Sequence, residues 1–336
     1  MPTPTETVDA SSGFQDRKTG LVVFGILTAL MGGLCALLIP LIFFSQSMAA
    51  RSGVPQNTQV LWSVVPIYGG LAVMLIWLGI GSMMARRWAR ALLLILSWTG
   101  LIIGVISIVF MAFAMPQILA STHAAGQPEL SASANSIVMV VMMIVMGVIY
   151  VVLPGTWLLF YRSRHVKATC EAYDPVARWT DRCPLPVIAV CLWLGFSSAS
   201  MLLMAALYKG VFPLFGNFVV GPLGSVIYIL TALLWGYCAW AFYKLEQRGW
   251  WIVVVTLCLF AMSAFLTYSR HDPLELYTLM GYPEQQIAQI QKLGFLKGQT
   301  MAWFSLGAMV PFLGYLIYLR RFFPRPGSST EDLQHR

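Results

Sequence analysis

The apolar positions of this chain do not alternate with polar ones; they run together. Eight stretches, at about 20–46, 60–85, 89–115, 136–161, 185–208, 219–243, 250–268 and 299–320, are almost unbroken in apolar residues. Each reaches the roughly 18 to 20 residues that a helix needs to cross a bilayer. A helix that is apolar on every side has no polar face to give to water. The pattern therefore predicts an all-α polytopic bundle of eight spans. The first run, from Gly20, is too long for the 7–15-residue core of a signal peptide and follows Glu6, Asp9 and Asp16, so it reads as a retained span.

Composition agrees: 58% of the 336 residues are hydrophobic and 10% are charged, against about one quarter charged in soluble domains. The net charge of +8 would suggest nucleic acid in a soluble protein. Here the bases lie in short segments between spans. With the N-terminus inside, sixteen of the 21 Lys and Arg fall on the inner side and five on the outer. That asymmetry predicts an inner-membrane protein with both termini cytoplasmic, and no nucleic-acid partner. Four of the cysteines lie in spans and Cys170 and Cys183 in the central inner loop, so no disulfide framework is implied.

The two halves run alike: span, short outer loop, span, tight inner turn, span, long outer loop, span. The inner turns are Ala85–Arg90 and Lys244–Trp250, and the long outer loops are 116–135 and 269–298. Gly25, Ala29 and Gly33 in span one match Cys191, Gly195 and Ala199 in span five; Gly155 and Arg162 match Gly314 and Arg321. The pattern predicts a parallel repeat: a cytoplasmic segment 1–19, a first half 20–161, a cytoplasmic linker 162–184, a second half 185–320, and a tail 321–336.

Ionisable groups are missing from the span interiors, and all four histidines lie in loops or the tail. Proton relays, intramembrane metal sites and haem between two helices need such groups, so those classes are disfavoured, and neither cofactor nor metal is expected. A P-loop is also absent from the sequence. What remains polar within the spans is hydroxyls and one amide, Asn217, with Ser197, Ser198 and Ser200 clustered in span five. They either line a path for a neutral or lipid-like substrate or bond to backbone carbonyls a turn earlier. The stripes Gly25/Ala29/Gly33 and Gly100/Gly104 allow close helix packing, within the chain or in a homo-oligomer. Pro66, Pro154 and Pro311 predict kinks that free carbonyls.

The linker reads RSRHVKATCEAYDPVARWTDRC. His165, Cys170 and Cys183 with Asp174 or Asp181 lack metal-site spacing. An interfacial loop is the stronger reading, with its bases at anionic headgroups, Tyr173 and Trp179 at the interface, and Asp181 capping span five. Arg178, Trp179 and Asp181 are its candidate docking residues. In the last outer loop, Leu276, Leu279 and Met280, then Ile287, Ile290 and Leu293, have helical spacing behind Pro273 and Pro283. Two amphipathic helices are predicted there, with Tyr282 and Glu284 as candidate contact residues.

The runs Val166–Glu171, Asp174-Pro175 and Arg178–Pro186, together with Met280–Gln286, resemble a group of bacterial polytopic inner-membrane proteins to which no activity is attached. The resemblance implies that the linker and last outer loop are shared features; it supplies no substrate or catalytic residue. The sequence thus leads to a non-enzymatic membrane component, a subunit or accessory protein of an assembly, whose partner binds the linker or outer loop. The alternative is a transporter, permease subunit or flippase for a neutral or lipid-like molecule.

Overall fold

The computed structural model describes residues 15–51, 58–124, 132–292 and 298–323. Eight of its helices are long and apolar enough to cross a membrane, at Lys18–Met48, Val64–Met83, Arg87–Val109, Val140–Arg162, Leu185–Leu207, Pro222–Tyr243, Gln247–Arg270 and Gly298–Phe322. Each coincides with one of the eight sequence runs. The chain is a nearly all-α, multi-pass integral membrane protein in contact with the bilayer.

In chain order the helices are α1 (Lys18–Arg51), α2 (Thr58–Met83), α3 (Arg87–Ala124), α4 (Ala132–Gly147), α5 (Leu153–Arg162), α6 (Arg164–Tyr173), α7 (Leu185–Leu207), α8 (Pro222–Tyr243), α9 (Gln247–Arg270), α10 (Pro273–Met280), α11 (Glu284–Lys292) and α12 (Gly298–Leu319). A π-helical turn, Val148–Val152, joins α4 to α5 within one span, and two short strands, β1 (Phe212–Leu214) and β2 (Asn217–Val219), form a hairpin between α7 and α8. Helix α1 packs on α2, α2 on α3 and α3 on α5; α7 packs on α8, α8 on α9 and α9 on α12. Between the two sets, α7 touches α2 and α3.

Lipid offers helices no hydrophobic reward for meeting, so close backbone approach and satisfied polar groups hold them together. On α1 the seam facing α2 runs through Leu21, Gly25, Thr28 and Gly32, all buried. A Cβ on Gly25 would lie 2.7 Å from the Gly79 carbonyl, and one on Gly32 would lie 2.9 Å from that of Ala72. The expected stripe through Gly33 is corrected by this seam: Gly33 has no neighbour within 4 Å of a Cβ, and Gly32 takes its place. Helical pitch explains the change, because a contact line steps by four and then three residues rather than four each time.

Pro154 lies in the first turn of α5, directly after the π-helical turn. Tyr150, four residues upstream, loses its N–H partner to the proline, and its carbonyl meets Gly104, where a Cβ would lie 2.1 Å from that oxygen. The proline and glycine thus dock α3 on the π-turn. A buried polar chain ties α1, α2 and α5: Ser82 donates to the Leu21 carbonyl at 3.0 Å and shares a 2.7 Å bond with the Tyr161 hydroxyl. Nearby, the Trp157 indole donates to Thr28 at 3.0 Å.

The α2–α3 and α8–α9 turns close in the same way. Ala85 and Leu245 hold positive φ, 53° and 57°. Arg86 N–H bonds to the Gly81 carbonyl and Ala85 N–H to Ser82; Glu246 N–H bonds to Ala241 and Leu245 N–H to Phe242. This 6→1 and 5→2 pair is a Schellman closure, made here without glycine. In this register, buried Ala72, Leu75, Leu78 and Leu93 correspond to buried Ala232, Trp235, Cys238 and Val253, 160 residues later. On the preceding helix the spacing is 166 residues: Gly32 against the Ala72 carbonyl has its counterpart in Ser198, whose hydroxyl donates to the Ala232 carbonyl at 2.7 Å.

Candidate functional site

The linker is more structured than its sequence suggests. Ser163 caps α6 by accepting from His165 N–H. Val166, Thr169 and Cys170 are buried along one face of α6. Cys170 joins the apolar cluster around Leu21, Leu93 and Tyr161 in the first half, whereas Cys183 joins that around Val187, Phe242 and Leu319 in the second. The entering chain docks on the same helix: Arg17 N–H donates to Thr169 at 3.0 Å, and Gln15 N–H to His165 at 3.2 Å.

Asp174 is the pivot. Its side chain is only 2% exposed and takes two bonds from the Arg178 guanidinium, Nε at 3.1 Å and Nη2 at 2.8 Å. Arg86 approaches the same carboxylate at 3.7 Å, and Arg87 N–H, in the first turn of α3, donates to it at 3.4 Å. The Arg178 hydrogen bonds first, then the Arg87 N–H and the charges of Arg178 and Arg86, hold the Asp174 carboxyl below the usual carboxylate range against the opposite push of burial. Nothing in the local sequence marks this residue beyond an i, i+4 spacing to Arg178. Its main neighbours lie almost ninety residues away, on the α2–α3 turn.

Of the candidate docking residues, Arg178 and Asp181 are brought together. Asp181 accepts from Arg178 N–H at 2.8 Å and lies 3.8 Å from the Arg87 guanidinium. The expected cap of the fifth span by Asp181 is corrected: Pro184 occupies that position without a side-chain bond, because Asp181 is engaged in the short turn Trp179–Asp181. Trp179 keeps 39% of its surface exposed, and its carbonyl accepts from the Tyr243 hydroxyl at 3.3 Å. One strap therefore reaches the α2–α3 turn through Asp174 and the end of α8 through Trp179.

The other candidates lie elsewhere. Tyr282 and Glu284 are beyond the far end of α9, at the join of α10 and α11. Tyr282 packs on Tyr277, with ring centroids 5.3 Å apart, and burial and the neighbouring Tyr208 hydroxyl push its own hydroxyl up to about 12. Glu284 opens α11 and is exposed. Helices α10 and α11 occupy the two predicted amphipathic segments, the first capped by Asp272 with Pro273 in its first turn; Leu293 lies outside the described residues. Ser197, Ser198 and Ser200 sit half-buried in α7. The Ser198 bond to α8 makes it a helix-to-helix strut rather than a bond to its own helix. Thr28, Ser97 and Thr267 do bond one turn back on their own helices.

The hairpin was not foreseen, and Asn217 lies in it rather than in a span. Its turn packs on α9: Phe215 N–H donates to Ser263 at 2.9 Å and Gly216 N–H to Thr267 at 3.0 Å. His271 reaches the Gly216 carbonyl at 3.1 Å through Nε2 and Glu275 at 2.8 Å through Nδ1. The sequence signal is the pair Phe215-Gly216, both at positive φ, as two-residue hairpin turns require. Among the described residues no three His, Cys, Asp or Glu side chains gather as a metal site. Comparison with protein families, curated proteins and solved structures gives no match.

Proposed function

We propose that this chain is a non-enzymatic integral component of a bacterial-type inner membrane, working as a subunit or accessory protein of a larger assembly, with both termini and the linker in the cytoplasm. The observation that carries the reading is the division of labour on the linker. Asp174 and Arg178 turn onto each other and onto the α2–α3 turn, while Tyr173, Val176 and Trp179 remain 47%, 62% and 39% exposed. Aromatic residues held on a rigid strap suit protein docking or the membrane interface, and neither needs a reacting group. The outer helices α10 and α11 offer a second contact surface at the opposite end.

The two halves are read as a duplication. Support comes from the matching Schellman turns, the burial register at 160 residues, and the Gly32 and Ser198 contacts described above. A transporter of neutral or lipid-like molecules is the second reading, favoured by the repeat itself and opposed by the structural use of Ser198.

Native mass spectrometry after mild-detergent extraction from the source membrane separates the two. A stoichiometric protein partner supports the component. A lone chain or homo-oligomer retaining a specific small molecule overturns it in favour of transport.

A further inference from the structure

The turn of the hairpin between α7 and α8 is tied to the far end of α9 by three side chains. Ser263 accepts from Phe215 N–H at 2.9 Å and Thr267 from Gly216 N–H at 3.0 Å. His271, which caps the C-terminus of α9, meets the Gly216 carbonyl at 3.1 Å through Nε2. The first two are hydroxyls, which keep their donor and acceptor capacity near neutral pH. The third is an imidazole, which does not.

His271 is set apart by what faces its two ring nitrogens. Nε2 faces the Gly216 carbonyl, and Nδ1 faces the Glu275 carboxylate 2.8 Å away. Both partners only accept. A neutral imidazole carries one N–H, so it serves one of them and turns a lone pair on the other. An imidazolium donates to both. In the neutral ring the proton belongs on the side of the carboxylate, because a bond to an ionised acceptor is roughly twice as strong as one between neutral groups. The oxygen that loses its donor is then that of Gly216.

The surroundings contain charge of both signs. On α10, Glu275 touches the ring and Asp272 is engaged in capping Leu274 N–H at 2.9 Å. On α9, Arg270 lies against the turn, since a Cβ on Gly216 would be 2.8 Å from its Nη1. Tyr268, also on α9, packs with Phe218 at 6.4 Å, and Phe218 lies 5.4 Å from the imidazole. The start of α12 reaches His271 through Gly298, where a Cβ would be 3.0 Å from the His271 carbonyl. Residues 212–219 of the hairpin and 298–300 of α12 carry no ionisable side chain. Two carboxylates and one guanidinium therefore surround the ring, with a carboxylate in contact.

We infer that His271 is a pH-dependent clasp between the hairpin turn and α10. Protonated, it bridges the Gly216 carbonyl and the Glu275 carboxylate; deprotonated, it releases the turn. The tie is complete while the ring is charged and weakens as pH rises through the range in which histidine titrates. The bonds to Ser263 and Thr267 remain, so the change loosens the turn and leaves the helix bundle intact. The inference does not depend on the assembly reading.

Hydrogen–deuterium exchange of the full chain in mild detergent tests it, read on the peptide 212–219 as protection over the intrinsic rate at about pH 5.5 and about pH 8. Wild type is expected to protect this peptide about threefold or more better at the acid pH, the scale of one hydrogen bond. His271→Gln does not titrate and loses the difference. Glu275→Gln loses it in another way, because an amide donates as well as accepts. The neutral ring then accepts from that amide through Nδ1, keeps its own proton on Nε2 for Gly216, and holds the turn at both pH values. Glu275 is exposed, so this variant keeps the test decisive should His271→Gln not fold. Equal or lower protection of wild type at the acid pH overturns the inference, as does a fall in either variant as large as that in wild type.

Discussion

A Cβ placed on Gly249 would lie 2.6 Å from that of Ala241, so at this crossing of α8 and α9 only one of the two positions can carry a methyl group. At the matching crossing of α2 and α3 the residues are exchanged: Gly81 faces Ala89, and a Cβ on Gly81 would lie 2.7 Å from the Ala89 Cβ. Each half keeps one glycine and one alanine, on opposite helices. The shared constraint, together with the same turn, supports the duplication proposed above.

The exchange can be made by mutation. Gly249→Ala alone is expected to destabilise the protein by about 1–3 kcal/mol through overpacking, reduced by up to about 1 kcal/mol of helix propensity. Adding Ala241→Gly recreates the arrangement of the first half and is expected to recover most of the loss. Thermal melting of the two single variants and the double variant in detergent measures the coupling. Additive losses would contradict the equivalence.

Asp174→Asn removes the charge that gathers Arg86, Arg87 and Arg178 while keeping the shape. A loss of about 2 kcal/mol is expected, the scale of charge-assisted hydrogen bonds, read as a lower melting temperature.

The same carboxylate sets a pH dependence. Its folded-state pKa lies below its unfolded value, so the unfolded chain takes up the proton first as pH falls. The strap's contribution is therefore complete above the ordinary carboxylate range, about pH 4, and disappears as pH drops through the depressed value. Melting temperatures from pH 7 to pH 3 should fall more steeply for wild type than for Asp174→Asn at the acid end.

Burial pushes the thiols of Cys170 and Cys183 up to about 11 each. At pH 8 that leaves about one thiolate in a thousand. Maleimide should label neither in the native protein within minutes and both after denaturation, as read by peptide mass spectrometry. Rapid native labelling of Cys170 would mean that α6 does not stay packed on the first half.

The spans were legible because length and apolarity alone define them: a run such as Leu185–Leu207 has no other stable solution in lipid. Helices α10 and α11 were legible from Pro273 and the spacing of Leu276, Leu279 and Met280. The hairpin was hidden because Phe212–Val219 continues the apolar run of the neighbouring span, and three-residue strands carry no periodicity. The role of Asp174 was hidden for a different reason. Its partners Arg86 and Arg87 looked like topology signals, and only the folded chain brings them to one carboxylate. Arg178 and Asp181, singled out as docking residues, bond to each other and to Asp174 and Arg87 inside the chain. Ser198 shows the limit of reading hydroxyls from sequence, since a bond to its own helix and a strut to a neighbouring helix look the same there.

The central claim is that two equivalent halves enter the membrane from one side and are strapped together there. Single cysteines at the exposed positions Met84, Lys244 and Glu171, in a background free of native cysteine, test it most directly. A membrane-impermeant thiol reagent is applied to right-side-out and inverted vesicles. All three sites should react from the cytoplasmic side alone. Reaction of Met84 and Lys244 from opposite sides would contradict the account.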